Sequence, residues 1–379
     1  MHSPEFIFNL LRSHGFNLFT GVPDSLLKDF CAFVTDSTSK DQHIIAANEG
    51  NAIAIASGHY LGTGQPALVY MQNSGIGNAI NPLLSLADSE VYSLPMLLMI
   101  GWRGEPGVSD EPQHIKQGRV MTNLLDALEI PWYSLGADTK SPKEVITKAI
   151  NHMKKIQSPV ALLVRKGTFK KYDLEQYSPA KFKISREQAI ENIVEHLDES
   201  DLVVSTTGMT SRELYELRVK AQQGHSNDFL TVGAMGHTAS IALGLAKAQV
   251  DRRVFCIDGD GSALMHMGAL GIVGSSDAKN FIHIVINNGA HDSVGGQPTV
   301  GFDINLPEIA KCCNYAHVFS VDGRVGLSEC LTKIQLLDGP IFLEVKVKKG
   351  ARHNLGRPKS TPIENKSALM SLIASDNDS

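Results

Sequence analysis

The sequence predicts an α/β protein with two doubly wound parallel-sheet domains of similar layout. Three observations carry this. Apolar runs of strand length recur along the chain and are near-continuous rather than alternating, as in sheets buried on both faces. Helix-like stretches separate them, which is the order of βαβ units. One polar, charged segment, KGTFKKYDLEQYSPAKFKISREQ (166–188), breaks the series in two. The chain has 379 residues, more than one core usually serves, so its length also favours two domains.

Taken in order, MHSPEFIFNLLRSHG reads as an amphipathic helix. It has no basic n-region and no long apolar core, so it lacks the make-up of a signal peptide. Strands follow at NLFTGV (17–22), HIIAA (43–47), ALVYM (67–71), PMLLMI (95–100), PWYSL (131–135) and PVALLV (159–164). Helices lie between them, among them Ser25–Thr35, Gly50–Leu61 and Lys143–Ile156. LPMLLMIGW (94–102) is too short to span a bilayer and reads as a buried strand. The second half offers LVVSTT (202–207), FLTVGA (229–234), RVFCID (253–258), FIHIVI (281–286), AHVFSV (316–321) and PIFLEVKV (340–347). No evident sequence repeat links the halves. The expected limits are 1–166 and 189–366 for the domains, 167–188 for a linker, and 367–379 for a frayed, flexible tail containing SDNDS.

Hydrophobic residues make up 42% and charged residues 20%, which suits a compact soluble protein. The formal net charge of −5 makes nucleic acid an unexpected partner; an anionic ligand would need a local cationic group. Cys31, Cys256, Cys312, Cys313 and Cys330 are odd in number and fit no zinc spacing, so reduced thiols in a cytoplasmic protein are expected.

The stretch VFCIDGDGSALMHMGALGIVGSSDAKNFIHIVINNGAHDSVGGQ (254–297) organises the second half. Gly259-Asp260-Gly261 closes one apolar strand and Asn287-Asn288 closes the next. If both strands are parallel neighbours, the two loops leave the same sheet edge. Asp260 and Asn288 then bring a carboxylate and an amide oxygen together, the hard donors that Mg²⁺ shares with phosphates. The glycines let a large anion approach the backbone, and the helix that follows offers free N–H groups. Either pair taken alone would also be an ordinary βα turn.

This spacing resembles the cofactor motif of the thiamine diphosphate-dependent decarboxylase and acetolactate synthase superfamily. The resemblance implies thiamine diphosphate and Mg²⁺ as cofactors. It implies that Asp260, Asn288 and the Ala290 carbonyl hold the metal and that Gly259, Gly261 and Ser262 lie against the diphosphate. The first domain would be the pyrimidine-binding one and the second the diphosphate-binding one. By the same resemblance Glu49, in AANEGNAIAIASGHYLGTG, is the catalytic acid that pushes the aminopyrimidine towards its imino tautomer; burial would raise its pKa for that task. On position alone Glu49 could simply offset a helix dipole. Met235, in VGAMGHTASIALGLAKA, would prop the cofactor into its V-shape, or else fill the core.

Members of that superfamily usually carry a middle domain, and this chain has only a short linker there. It therefore resembles the compact branch that holds the phosphonopyruvate and sulfopyruvate decarboxylases. TGVPDS (20–25), GWRGEPG (101–107), DEPQH (110–114), TTGMTSRE (206–213), NNGAHDSVGGQPT (287–299) and ARHNLGRP (351–358) resemble the phosphonopyruvate decarboxylases, and these stretches span nearly the whole chain. The implied activity is decarboxylation of 3-phosphonopyruvate to phosphonoacetaldehyde and CO₂, by at least a homodimer whose subunits share active sites. Substrate candidates are Asp24, Ser25, Arg103, His114, His291 and Arg352, with Lys116 and Arg357 as further cations. Each arginine can equally be an ion-paired surface residue, and each histidine a loop residue with a local hydrogen bond. Gln297 and Gly295-Gly296 could form part of a lid or cofactor wall. Two rival readings stay open: sulfopyruvate or another 2-oxo acid as substrate, and a non-catalytic α/β protein that binds a phosphate ligand. The second lacks the expected G-x-G-x-x-G, since the first strand ends in GVPDS.

Overall fold

A computed structural model describes residues 1–175 and 182–377. The chain forms two compact units, Met1–Ser178 with Val294–Gln297, and Pro179–Ser293 with Pro298–Ser379. Unit 1 holds β1 (Phe19–Gly21), β2 (His43–Ile45), β3 (Leu68–Gln72), β4 (Leu97–Gly101), β5 (Trp132–Leu135) and β6 (Val160–Val164). They form one parallel sheet of order β2-β1-β3-β4-β6-β5. Alternate side chains of the central strands enter two different cores. Leu68, Tyr70, Leu97, Met99 and Leu162 face one side, and Val69, Met71, Leu98, Ile100 and Leu163 the other. That is why these runs are apolar throughout rather than at every second position.

Unit 2 holds β7 (Leu202–Ser205), β8 (Asp228–Leu230), β9 (Val254–Gly259), β10 (Phe281–Asn287), β11 (His317–Val321) and β12 (Ile341–Lys346). This sheet is also parallel, of order β11-β12-β10-β9-β7-β8. Read from β8, it repeats the strand order of unit 1, and neither sheet borrows a strand from the other. Each order reverses direction beside its first strand, at β1/β3 and at β7/β9. Open α/β sheets bind ligands at the carboxyl ends of strands beside such a switch point.

All twelve expected strands are present, with limits that differ by up to four residues from those expected. The 229–234 stretch contributes only its start, because the chain turns at Ala234, where φ is +54°. The helix expected from Ser25 begins at Lys28, since Leu27 N–H turns back to the Asp24 carbonyl. The expected linker 167–188 is divided between the units, and its residues 176–181 lie outside the described residues. Phe169 is buried in the core of unit 1, and Tyr172 meets Phe33 edge-on with ring centroids 5.2 Å apart. At its other end Ser185 and Gln188 form a capping box that opens the helix Arg186–Val194 of unit 2.

The tail expected to fray is instead the helix Pro362–Asn377; the last two residues lie outside the described ones. Leu369 is buried and Leu372 and Ile373 pack against the same core, an apolar stripe at helical spacing. Asn365 ties this helix to β8: its side-chain oxygen accepts from Leu230 N at 3.0 Å, and its Nδ2 donates to Asp228 O at 2.8 Å. All five cysteines are unpaired. Among the described residues no helix is long and apolar enough to cross a membrane.

Candidate active site

In unit 1 the polar groups gather at the carboxyl ends of β1 to β4. Asp24 follows β1 and is fully buried. Gln72 Nε2 donates to its Oδ1 at 2.7 Å, and Leu26 N donates to its Oδ2 at 2.9 Å. Burial raises the Asp24 pKa against these donors and the Arg103 charge. The carboxylate fits because position 101 is glycine; a Cβ there would collide with Oδ2. Arg103 follows β4 and grips Asp110 with two bonds, Nε at 2.8 Å and Nη2 at 2.5 Å, while Nη1 donates to Ser25 Oγ at 2.7 Å. Buried Asn73 holds the Arg103 backbone from both sides, its Nδ2 donating to Arg103 O at 2.8 Å and its Oδ1 accepting from Arg103 N at 3.1 Å. His114 is buried in the first turn of the helix Pro112–Ala127 and its Nδ1 has no hydrogen-bond partner. Burial, with Arg103 nearby, lowers its pKa to about 4.

Glu49 is the first residue of the helix Glu49–Thr63, which Asn48 caps through Asn51 N–H at 2.9 Å. The residue is only 5% exposed. Burial raises its pKa, opposed by the bond that Asn78 Nδ2 donates to Oε2 at 2.7 Å. Oε1 lies where a side chain at Gly75 would have to go.

In unit 2, Asp260 ends the β9 turn and is 2% exposed. Thr299 Oγ1 donates to its Oδ2, and Asn288 N–H reaches Oδ1 at 3.4 Å. Burial pushes its pKa up to about 6. The register of β9 on β10 sets Gly259 beside Ile286, so both loops leave one edge of the sheet. The two asparagines have different tasks. Asn287 is fully buried and committed: its Nδ2 donates to Gly301 O and Glu344 Oε1, and its Oδ1 accepts from Gly289 N. Asn288 meets Asp260 through its backbone N–H, and its Oδ1 accepts from Ala290 N at 3.0 Å. Ala290 forms a bridge with Pro298, which has no N–H to give its carbonyl.

Ser262 Oγ accepts from Gly236 N and from Thr206 Oγ1, both at 3.1 Å, and so joins the β7 loop to the Met235 turn. Met235 and His291 close over Gly261: their Cε and Cε1 atoms lie 3.5 and 3.1 Å from where its Cβ would stand. Burial lowers the His291 pKa to about 4. Beside Gly259, by contrast, no atom comes within 4 Å of the Cβ position.

The structure thus brings Asp24, Ser25 and Arg103 together in unit 1, and Met235, Gly261, Ser262, Asp260, Asn288, Ala290 and His291 together in unit 2. Arg352 is not among them. Its guanidinium pairs with Glu187 at 2.7 Å and with Glu216. Lys116 and Arg357 are exposed. Gln297 is buried within unit 1, its amide donating to Lys28 O at 3.3 Å. Sequence reasoning passed over Gln72, Asn73, Asn78, Asp110, Thr299 and Asp292. Gln72 ends a buried parallel strand and Asn73 and Asn78 follow it, and their place at its carboxyl end was the available signal.

Residues 1–129 match the family described as thiamine pyrophosphate enzyme, N-terminal TPP binding domain, and residues 206–345 its C-terminal TPP binding domain. The chain is 34% identical over 369 residues to a phosphonopyruvate decarboxylase of Streptomyces viridochromogenes, covering 93% of this chain and 90% of that one. It is 34% identical over 373 residues to a phosphonopyruvate decarboxylase of Streptomyces hygroscopicus, with 93% and 90% covered. A sulfopyruvate decarboxylase of Methanosarcina acetivorans is 26% identical over 371 residues, with 91% of each chain covered.

Proposed function

This chain belongs to the thiamine pyrophosphate enzyme family, and we propose on that basis that it decarboxylates 3-phosphonopyruvate to phosphonoacetaldehyde and CO₂, using thiamine diphosphate and Mg²⁺. The observation that carries the reading is identity of 34% to phosphonopyruvate decarboxylases along 93% of the chain. The residues fit the cofactors. Asp260, Asn288 and the Ala290 carbonyl form an all-oxygen donor set suited to a hard cation. The clear space beside Gly259 admits a diphosphate to the backbone, with Gly261 and Ser262 next to it. Met235 stands over Gly261 as a hydrophobic prop.

Bound thiamine diphosphate supplies the electron sink for the pair left when CO₂ departs. Glu49 is the catalytic acid: burial lets it hold a proton that an ordinary glutamate would lose, and Asn78 fixes one of its oxygens so that the other can share that proton. Asp24, Ser25, Arg103, His114 and His291 are the substrate-facing set. Arg103 uses three of the five N–H donors of a guanidinium on Asp110 and Ser25, which leaves two for an anion. Arg352 drops out of this set, because Glu187 and Glu216 already neutralise it. We place the protein in the cytoplasm, as at least a homodimer with shared active sites.

The full-length sulfopyruvate decarboxylase relative supports a second reading in which the terminal anion is a sulfonate. Steady-state turnover of both acids, with thiamine diphosphate and Mg²⁺ present, separates the two. Phosphonopyruvate is expected to have the higher kcat/KM, and a strong preference for sulfopyruvate would reverse the assignment. If the cofactors bind and neither acid loses CO₂, the decarboxylase reading fails.

A further inference from the structure

A cation at Asn288 requires the amide oxygen, yet the oxygen and nitrogen of an asparagine differ little in shape. Something must hold the amide the right way round. Its Oδ1 accepts from Ala290 N at 3.0 Å, and its Nδ2 donates to Asp292 Oδ2 at 2.8 Å. Turning the amide over would set an N–H₂ against an N–H and an oxygen against a carboxylate. Each contact therefore demands the same orientation, and the second is charge-assisted.

Asp292 is itself held. The same Oδ2 accepts from Gly350 N at 2.8 Å and from Arg186 Nη1 at 3.2 Å. Arg186 is anchored in turn by Glu213, whose two oxygens accept from Nε at 2.8 Å and Nη2 at 3.0 Å. The side chains of Arg186, Glu213 and Asp292 are 7%, 1% and 9% exposed. A chain of charges this buried is held against little solvent screening. It runs from Glu213 through Arg186 and Asp292 to Asn288. Glu213 already matches the Arg186 charge with both of its oxygens, so the second carboxylate is not needed to neutralise that arginine. Its ligand-facing bond to Asn288 is what Asp292 adds.

We propose that Asp292, held by Arg186, is a positioning residue that keeps the Asn288 oxygen turned towards a divalent cation. This rests on the cofactor site proposed above. Outer-shell partners of metal ligands commonly matter about 10- to 100-fold in metal affinity.

The test measures Mn²⁺, as an EPR-visible substitute for Mg²⁺, binding to the full chain with thiamine diphosphate present. Asp292→Ala is expected to raise the Mn²⁺ dissociation constant about 10- to 100-fold. Asp292→Asn keeps an oxygen at the same place and is expected to recover most of that loss. Thermal unfolding of both variants is followed without metal. Mn²⁺ binding by Asp292→Ala within twofold of the parent would overturn the proposal. So would equal weakening in both variants that tracks a common fall in thermal stability, since that marks a purely structural ion pair. Failure of the parent chain to bind Mn²⁺ with thiamine diphosphate would instead sink the cofactor site, and this inference with it.

Discussion

Glu49 shows how much a single position depends on its neighbours. The residue was legible in the sequence as an acid opening a small-residue helix, but its partner Asn78 lies 29 residues away and no periodicity points to it. Glu49→Gln keeps the shape and removes the transferable proton. Its kcat is expected to fall by about 10²- to 10⁴-fold, while thiamine diphosphate still binds; normal turnover would remove Glu49 from the mechanism. Gly75→Ala makes a complementary test, because Gly75 has an ordinary helical backbone and only space is at stake. The added methyl would displace the Glu49 carboxylate. Turnover should fall, while Mn²⁺ affinity is expected to stay unchanged if Asp260 and Asn288 hold the cation as proposed. Asp260 follows the same rule. Its run Gly-Asp-Gly is visible in the sequence, whereas Thr299 reaches it from 39 residues away and Asp292 meets Arg186 across 106. Tertiary pairing at such separations leaves no local pattern to read.

At the scale of elements, the strands were the most legible feature. A parallel strand covered on both faces is apolar nearly throughout; ALVYM satisfies that with little ambiguity, and FIHIVI does so apart from the buried His283. The C-terminal helix was the least legible. Its polar last residues dominate the composition, while the stripe Leu369, Leu372 and Ile373 gains meaning only from the core it meets. The helix does more than add apolar area. Asn365 satisfies a donor and an acceptor on β8, the edge strand of its sheet, and covered edges resist intermolecular pairing. Asn365→Ala leaves Leu230 N–H and Asp228 O without these partners. A loss of about 1–3 kcal/mol is expected, measured by urea unfolding. The same variant should also aggregate sooner on heating.

For the molecule as a whole, acid tests the balance of buried titratable groups. His43, His114 and His291 have pKa values lowered to about 4 by burial. Between their ordinary range near 6.5 and 4, the unfolded chain takes up protons that the native state refuses, so stability falls as the pH drops. Asp24, Glu49 and Asp260 act in the opposite sense, because burial raises their pKa values and the native state gains protons first. His43 offers a clean probe, since it bonds Tyr70 Oη through Nε2 at 2.7 Å and touches none of the site residues. His43→Gln is expected to lose stability at pH 7 but to narrow its deficit against the parent at pH 5. Urea midpoints at the two pH values measure this, and a deficit that widens in acid would contradict the sign.

Two complete sheets with one strand order, neither lending the other a strand, also bear on inheritance. A gene for such a protein can be cut between the halves, or assembled from two copies of one half, without leaving either product short of a strand. Selection can then revise the half that carries Glu49 and the half that carries Asp260 at different rates. The connecting peptide fixes their ratio at one to one; the architecture of each sheet does not require it.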